Sequence, residues 1–402
     1  MEAVGSNNIW YNKTFRRIFL SSLLTTANSK IYSLAIPLLI YQLTESSEAM
    51  GLVRALEYLP NLVLGFLIGV FIDRVNRKRW SLISLASLTI YVFSLYAMFQ
   101  FQVIDYTVMY ILVFLFATSD YTFHVARSGI IKCSLSKDNQ QEATSKLSAL
   151  NSFFETVGPS LAGLILLLSD LHYVFLLMFV LYLACIPLYS KLEYVTASHE
   201  DNTTSFVNSL KEGWKHFRSD KYMLDITVAV VIVNMCGAVF LIQSIFLAQE
   251  MFDFSAVEVG YFVSLSGIGG LIGAYFFTRA RRTFRLGRVL LVTMVLECIG
   301  FVAVVVYPLG ASLLLSALYT SLFGTLSSIC IWTYRQESFS EHVISSVSGL
   351  TGSLFKIGIP CALFASGYVM SSYGYECLFI SCFIFQLLAA VYLFFNKISL
   401  IK

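Results

Sequence analysis

Three ionisable side chains share one face of a segment that is apolar enough to cross a bilayer. Asp120, His124 and Arg127 are spaced four and three residues apart, so a helix would stack them over two turns. Such a face could relay protons or bind a charged substrate, because imidazole titrates near neutral pH. The alternative is a structural ion pair, either Asp120 with His124 or Asp73 with Arg127.

Three further charges lie in the middle of apolar segments, at Lys30, Glu155 and Lys356. An ionised group at membrane depth costs roughly 2.5–3.5 kcal/mol, so it is expected to face a wet cavity. Lys30 would suit a carboxylate or phenolate on a substrate. Glu155 and Lys356 could pair in one state of the protein and separate in another, or form a permanent structural bridge.

The elements that position these charges are membrane helices. Of the 402 residues 57% are hydrophobic and 13% are charged, whereas charged residues make up about 25% of soluble domains. Apolar windows of about 20 residues recur from end to end. The sequence therefore predicts an all-α membrane protein with twelve spans, at 17–43, 49–72, 80–102, 107–130, 145–168, 172–194, 223–247, 256–278, 287–308, 311–334, 346–370 and 374–395.

The distribution of basic residues predicts the orientation of the chain. Lysine and arginine concentrate in the amino-terminal arm and in the second and eighth loops, whereas the alternate loops carry acidic residues. By the positive-inside rule both termini are cytoplasmic. The net charge of +3 is thus a topology signal, and no nucleic-acid partner is expected.

The chain reads as two related halves. Gly65 and Gly69 in the second span correspond to Gly269 and Gly273 in the eighth, an offset of 204 residues. Small residues four apart allow helices to approach closely. We expect an N-terminal six-helix bundle at 1–194, a cytoplasmic linker with an amphipathic helix at 195–222, and a C-terminal bundle at 223–402, with a substrate site near the bilayer midplane between the halves.

Two motifs carry a resemblance to a known family. The loop Gly-Val-Phe-Ile-Asp-Arg-Val-Asn-Arg-Lys-Arg at 69–79 resembles the signature between helices two and three of the major facilitator superfamily, and Gly158-Pro159 resembles its antiporter motif in helix five. The segments ALEYLPNLVLGFLIGVFIDRVNRKR and SFVNSLKEGWKHFRSDKYM are similar to the drug-efflux branch that includes macrolide exporters and the bacterial enterobactin exporter. The resemblance implies two pseudo-symmetric six-helix bundles and export from a bacterial inner membrane in exchange for protons.

The resemblance also implies gating residues. Asp73 would latch the outward-facing state, against helix eleven and a basic group such as Arg127. Arg54 and Glu57, three residues apart in helix two, form either a gate or a pair that satisfies itself. The gating candidates are Gly69, Asp73, Arg77, Gly158, Pro159, Arg54 and Glu57.

Together these observations predict a proton-coupled exporter of a small organic molecule that works by alternating access. The surplus of buried cations favours an anionic or zwitterionic cargo such as a siderophore. The alternative transport functions are multidrug or macrolide efflux and import by proton symport. A membrane scaffold or ligand sensor that transports nothing is the alternative outside the transporters. We expect a monomer without enzymatic activity, cofactor or metal, and a structural role for Glu297 on an outer helix. The proton carriers would be Asp120 and Glu155, assisted by His124, and the substrate-binding residues Lys30, Arg127, Lys356, Tyr32, Tyr121 and Trp332.

Overall fold

A computed structural model describes most of the chain. It covers residues 9–135, 139–140, 142–143, 146–147, 149–151, 153–154, 158, 161, 165, 171–192, 206–339, 347 and 350–401, with the backbone alone at 66, 70, 73–74, 132–133, 171–172, 206–212 and 278. Glu155, Pro159 and the side chain of Asp73 lie outside the described residues, as does most of the predicted fifth span.

Helices dominate the described residues. They are α1 (Lys13–Thr44), α2 (Ser47–Arg74), α3 (Arg77–Gln100), α4 (Tyr106–Ser134), α5 (Leu171–Ser190), α6 (Phe206–Ser219), α7 (Lys221–Glu250), α8 (Ala256–Thr283), α9 (Leu286–Val306), α10 (Gly310–Ser338) and α11 (Ile359–Phe395). Within the described part, nine helical segments are long and apolar enough to cross a membrane. The all-α membrane architecture predicted from the apolar windows is confirmed.

Polar residues at the helix starts explain several boundaries. Asp105 accepts hydrogen bonds from the first backbone amides of α4, and Asp220 accepts one from Met223 at the start of α7. Ser255 and Glu258 form a reciprocal capping box at α8. These side chains satisfy amides that have no partner inside the helix, so each loop ends where its capping residue stands.

The chain divides into two compact units, unit 1 (residues 1–36 and 56–200) and unit 2 (residues 37–55 and 201–402). In unit 1, α3 packs against both α4 and α5. At the carboxyl end of α5, Arg17 and Lys78 donate hydrogen bonds to the carbonyls of Lys191 and Leu192. Two of the cations that predicted the orientation of the chain therefore also bind carbonyls at a helix end.

In unit 2, α9 lies against α10 and α11, and α7 packs along α11. Its apolar core includes Met223, Leu290, Cys330 and Leu393, and Phe217 of the linker helix α6 inserts into it. Trp214 on the same helix is exposed. The helix at Phe206–Ser219 is thus anchored to unit 2 through Phe217.

The end of α1 and the start of α2 also belong to unit 2. Ser47 donates a hydrogen bond of 3.0 Å to the carbonyl of Gly367 on α11. A Cβ on Gly51 would come 2.5 Å from the Leu363 carbonyl oxygen, and one on Gly367 would come 2.6 Å from the Cα of Glu48. The two backbones approach this closely because both positions are glycine.

The end of the predicted span eleven and the whole of span twelve lie in one long helix, α11. α11 contains a single residue with non-helical backbone, Gly374, whose φ is 81°. A side chain is strained at this φ, so glycine permits the change of direction between the two spans. The eleventh span is itself interrupted by a turn at 355–358 that precedes Pro360 in the first turn of α11.

Candidate functional site

The three ionisable residues predicted to share a face of α4 form a continuous chain of contacts in unit 1. Asp120 Oδ2 lies 3.5 Å from His124 Nε2. On the other side of the ring, His124 Nδ1 lies 2.9 Å from a terminal nitrogen of Arg127. The second terminal nitrogen of Arg127 donates to the hydroxyl of Ser22 on α1 at 3.1 Å.

The arginine determines the tautomer of the neutral imidazole. A guanidinium only donates hydrogen bonds, so Nδ1 of His124 must accept and the ring proton resides on Nε2, facing Asp120. The chain therefore runs from a cation through a neutral ring to a carboxylate. The His124 and Asp120 side chains are 37% and 25% exposed, so neither is enclosed by the helix packing of unit 1.

Packing fixes the position of this chain. Phe123 is fully buried between α4 and α5, where its ring centroid lies 5.1 Å from that of Tyr189. The guanidinium carbon of Arg127 lies 5.8 Å from the centroid of the Phe123 ring. A charged side chain held by two hydrogen bonds and an aromatic face has little freedom, so its contact with His124 is well defined.

Two tyrosines predicted to line a substrate cavity are placed in helix contacts of unit 1. Tyr32 is buried and stacks on Phe116, with ring centroids 3.9 Å apart and planes inclined by 12°. Tyr121 lies over Gly65, where a Cβ would come 3.2 Å from the tyrosine hydroxyl. A role for either residue in substrate binding stays a prediction.

Lys30 packs on the helix-five motif. A Cβ on Gly158 would come 2.8 Å from Cγ of Lys30 and 3.0 Å from its Cβ. The methylene stem of the lysine therefore fills the space left by the missing side chain of the glycine. This contact joins the predicted substrate cation of α1 to the predicted gating motif.

The loop motif between α2 and α3 makes a similar contact. Arg77 lies over Gly129 of α4, where a Cβ would come 2.5 Å from Cδ and 2.6 Å from Nε of the arginine. By contrast, within the described part of the chain no atom lies within 4 Å of a Cβ built on Gly69. The arginine of the motif is thus closely packed and its first glycine is not.

The two charges of the outer part of α2 fall in different environments. Arg54 is buried, and Glu57 is half-buried. Whether they act as a gate remains a prediction.

In unit 2, Lys356 lies in the turn that interrupts the eleventh span, and its side chain is exposed. A break in a helix leaves carbonyl groups without their usual partners. The side-chain amide of Asn234 on α7 donates to one of these, the carbonyl of Phe355, at 2.9 Å. The apolar window predicted Lys356 at the middle of a continuous span, whereas it lies at a helix break.

Trp332 is 56% exposed, and its ring stacks on Arg335, whose guanidinium carbon lies 4.4 Å from the centroid. The arginine is buried and donates to the hydroxyl of Thr351 at 2.8 Å. A predicted substrate-binding aromatic therefore covers a buried cation.

Unit 2 also contains a cavity of about 350 Å³ between α7, α8, α9 and α10. Polar groups in its wall include Asn234, Ser266 and Thr325, and Glu297 borders it as well. We predicted a structural role for Glu297 because α9 was expected to pack outside the helices that line the cavity. The spacing of charges along α9 holds no signal that its carboxylate reaches a cavity.

The glycines of the eighth span confirm the predicted close helix packing. A Cβ on Gly269 would clash with the Leu318 carbonyl oxygen of α10, and one on Gly273 would clash with that of Leu322. These contacts place α8 directly against the backbone of α10, which forms one wall of the cavity.

Comparison with known proteins identifies the architecture. The family model of the Major Facilitator Superfamily matches residues 18–360. Among solved structures, the nucleoside transporter NupG aligns with a TM-score of 0.73 and 15% identity, covering 97% of this chain and 100% of that chain. A bacterial homologue of the human lysosomal transporter Spinster, inward-facing and occupied, aligns with a TM-score of 0.74 and 12% identity, covering 98% of both chains.

A bacterial homologue of the iron transporter ferroportin, also inward-facing, aligns with a TM-score of 0.71 and 14% identity, covering 96% of this chain and 98% of that chain. At such identities the likeness concerns the fold alone. No curated protein sequence matches this chain.

Proposed function

Because the chain belongs to the Major Facilitator Superfamily and is a multi-pass membrane transporter, we propose that it exports a small organic molecule in exchange for protons. The observation that carries the proposal is the chain from Asp120 through His124 to Arg127. A titratable ring that meets a carboxylate on one side and a permanent cation on the other responds to protonation of that carboxylate, as a coupling site must. The proposed proton carriers are Asp120 and Glu155, which lies in the predicted helix-five segment, and His124 assists them.

The proposed cargo is anionic or zwitterionic. Lys30, Arg127 and Lys356 are its proposed binding cations, and the half-buried stem of Lys30 is held against Gly158, so its ammonium group has a restricted position. A siderophore with carboxylate or catecholate groups meets this requirement, since both groups pair with ammonium and guanidinium. The proposed location is a bacterial inner membrane with both termini cytoplasmic, supported by the basic loops.

The experiment uses inside-out membrane vesicles that contain the transporter, and enterobactin is the probe. An imposed pH gradient should drive accumulation by the wild-type protein in the direction that corresponds to export. Asp120→Asn should abolish the gradient-driven component while leaving exchange of labelled for unlabelled enterobactin, because exchange requires no net proton movement. Unchanged gradient-driven accumulation in Asp120→Asn combined with Glu155→Gln would remove the proton assignment.

The same vesicles distinguish the alternatives. Accumulation in the opposite direction would identify a proton symporter that imports its cargo. Accumulation of a macrolide in place of enterobactin would identify a drug exporter. A scaffold or sensor would bind without any flux, and replacement of Lys30 by alanine would then alter binding alone.

A further inference from the structure

A buried carboxylate in unit 2 is not used by the proposed coupling site. Glu297 on α9 is 6% exposed, and among the described residues its Oε2 has no hydrogen-bond partner. An unpaired ionised carboxylate is costly inside a protein and more so at membrane depth. A proton or a bound cation must therefore neutralise it.

The neighbours of Glu297 supply no positive charge. The amide of Gln386 on α11 lies against the carboxylate. The titratable groups around it are the free thiols of Cys236 on α7 and Cys298 on α9. The thiol of Cys382 on α11 is hydrogen-bonded to the first of these, and Tyr319 of α10 lies beside the second. Thiols and phenols are neutral at pH 7, so within the described residues a proton is the available neutralising group when the cavity is empty.

The carboxylate of Glu297 occupies space that a glycine leaves on the neighbouring helix. A Cβ on Gly324 of α10 would come 2.8 Å from Oε1 of Glu297. Gly324 also borders the cavity of about 350 Å³, so the carboxylate and the cavity meet at this glycine.

The cavity wall combines aromatic rings with that carboxylate. Phe240, Phe262 and Phe301 line it together with hydroxyl groups from α10. Its volume lies within the range of roughly 300–1,000 Å³ found for small-molecule sites. An apolar wall suits the body of an organic cation, and the carboxylate at the cavity border supplies the counter-charge.

We propose that the cavity of unit 2 binds an organic cation with an apolar body, and that Glu297 releases its proton to water as the cation enters. Before binding, Glu297 is a neutral acid and the cation is in solution. After binding, the Glu297 carboxylate is paired with the cation and one proton is in solution, so charge is conserved. The proposal goes beyond the proposed function, because it assigns a second ion-exchange site and is independent of the direction of transport. A zwitterionic cargo could use its cationic end here.

The test uses the full-length protein in detergent with ethidium, a permanent organic cation whose fluorescence rises in apolar surroundings. In a weakly buffered solution with an indicator dye, wild-type protein should release about one proton per ethidium bound, as a one-for-one exchange requires. Glu297→Gln should bind ethidium about tenfold or more weakly, the loss expected for a charge-assisted contact, and should release no proton.

A matched control replaces another buried carboxylate of the same unit. Asp225 is hydrogen-bonded to Tyr392 and does not border the cavity, so Asp225→Asn should retain proton release. Glu297→Asp should retain release with weaker binding, and it decides the question if Glu297→Gln does not fold. No ethidium binding by the wild type, binding without proton release, or undiminished release by Glu297→Gln would each overturn the proposal, and none of these results depends on vesicle transport.

Discussion

His124 Nδ1 lies 2.9 Å from a terminal nitrogen of Arg127, and this contact determines which ring nitrogen meets Asp120. The arginine is itself held by Ser22 on α1. A change in the position of α1 relative to α4 would thus reach the imidazole through one side chain. A doubly protonated ring could not accept from Arg127 at Nδ1, so the charge of the ring and the contact between α1 and α4 are linked through this arginine.

The tautomer of His124 is the first prediction. In protein labelled with ¹⁵N-histidine, the signal that disappears in His124→Gln should report an unprotonated Nδ1 and a protonated Nε2. Arg127→Ala should shift that signal toward a mixture of tautomers, because the donor that occupies Nδ1 is lost. A pure Nε2 tautomer that persists in Arg127→Ala would show that the arginine does not determine it.

Gly158 should be intolerant of a side chain. Gly158→Ala places a Cβ 2.8 Å from Cγ of Lys30, and such overpacking costs about 1–3 kcal/mol of unfolding free energy. Gly69→Ala is the matched control, since no described atom lies within 4 Å of its Cβ. Thermal unfolding in detergent should show a lower Tm for Gly158→Ala alone, and equal Tm values would contradict the packing of Lys30 on this glycine.

Arg77 and Gly129 should be energetically coupled. Gly129→Ala introduces a Cβ 2.5 Å from Cδ of Arg77 and should destabilise the protein. In Arg77→Ala the obstructing side chain is gone, so the same glycine replacement should cost less. A double-mutant cycle on unfolding free energy should give a coupling of about 0.5–3 kcal/mol, the range for residues in contact. Strictly additive effects on the unfolding free energy would contradict a contact between Arg77 and Gly129.

Tyr392 should stabilise unit 2 through Asp225. Its hydroxyl donates to Oδ1 of the buried carboxylate at 2.7 Å, and Oδ2 has no other described partner. Tyr392→Phe removes the donor, which should cost about 1–3 kcal/mol because a buried acceptor is left unsatisfied. Tyr368→Phe on the same helix is the control, since Tyr368 is 59% exposed. A similar Tm for the two variants would contradict this assignment.

From the sequence alone it was possible to predict the all-α membrane class of the protein and the contacts along the α4 face. Long apolar windows specify membrane helices because the bilayer leaves few alternatives for the backbone. The spacing of Asp120, His124 and Arg127 predicted their contacts, since neighbours three and four residues apart on one helix meet whatever the helix packs against. Glycines four apart in α8 predicted close packing for the same local reason.

Which faces of different helices meet could be read from the three-dimensional structure alone. Glu297 looked structural because its helix was expected to be an outer one, yet its carboxylate reaches a cavity where Gly324 of α10 leaves space. Lys30 meets Gly158 although 128 positions separate them in the chain. Such contacts depend on the rotation and depth of each helix in its bundle, which many weak packing interactions set together and no local spacing encodes.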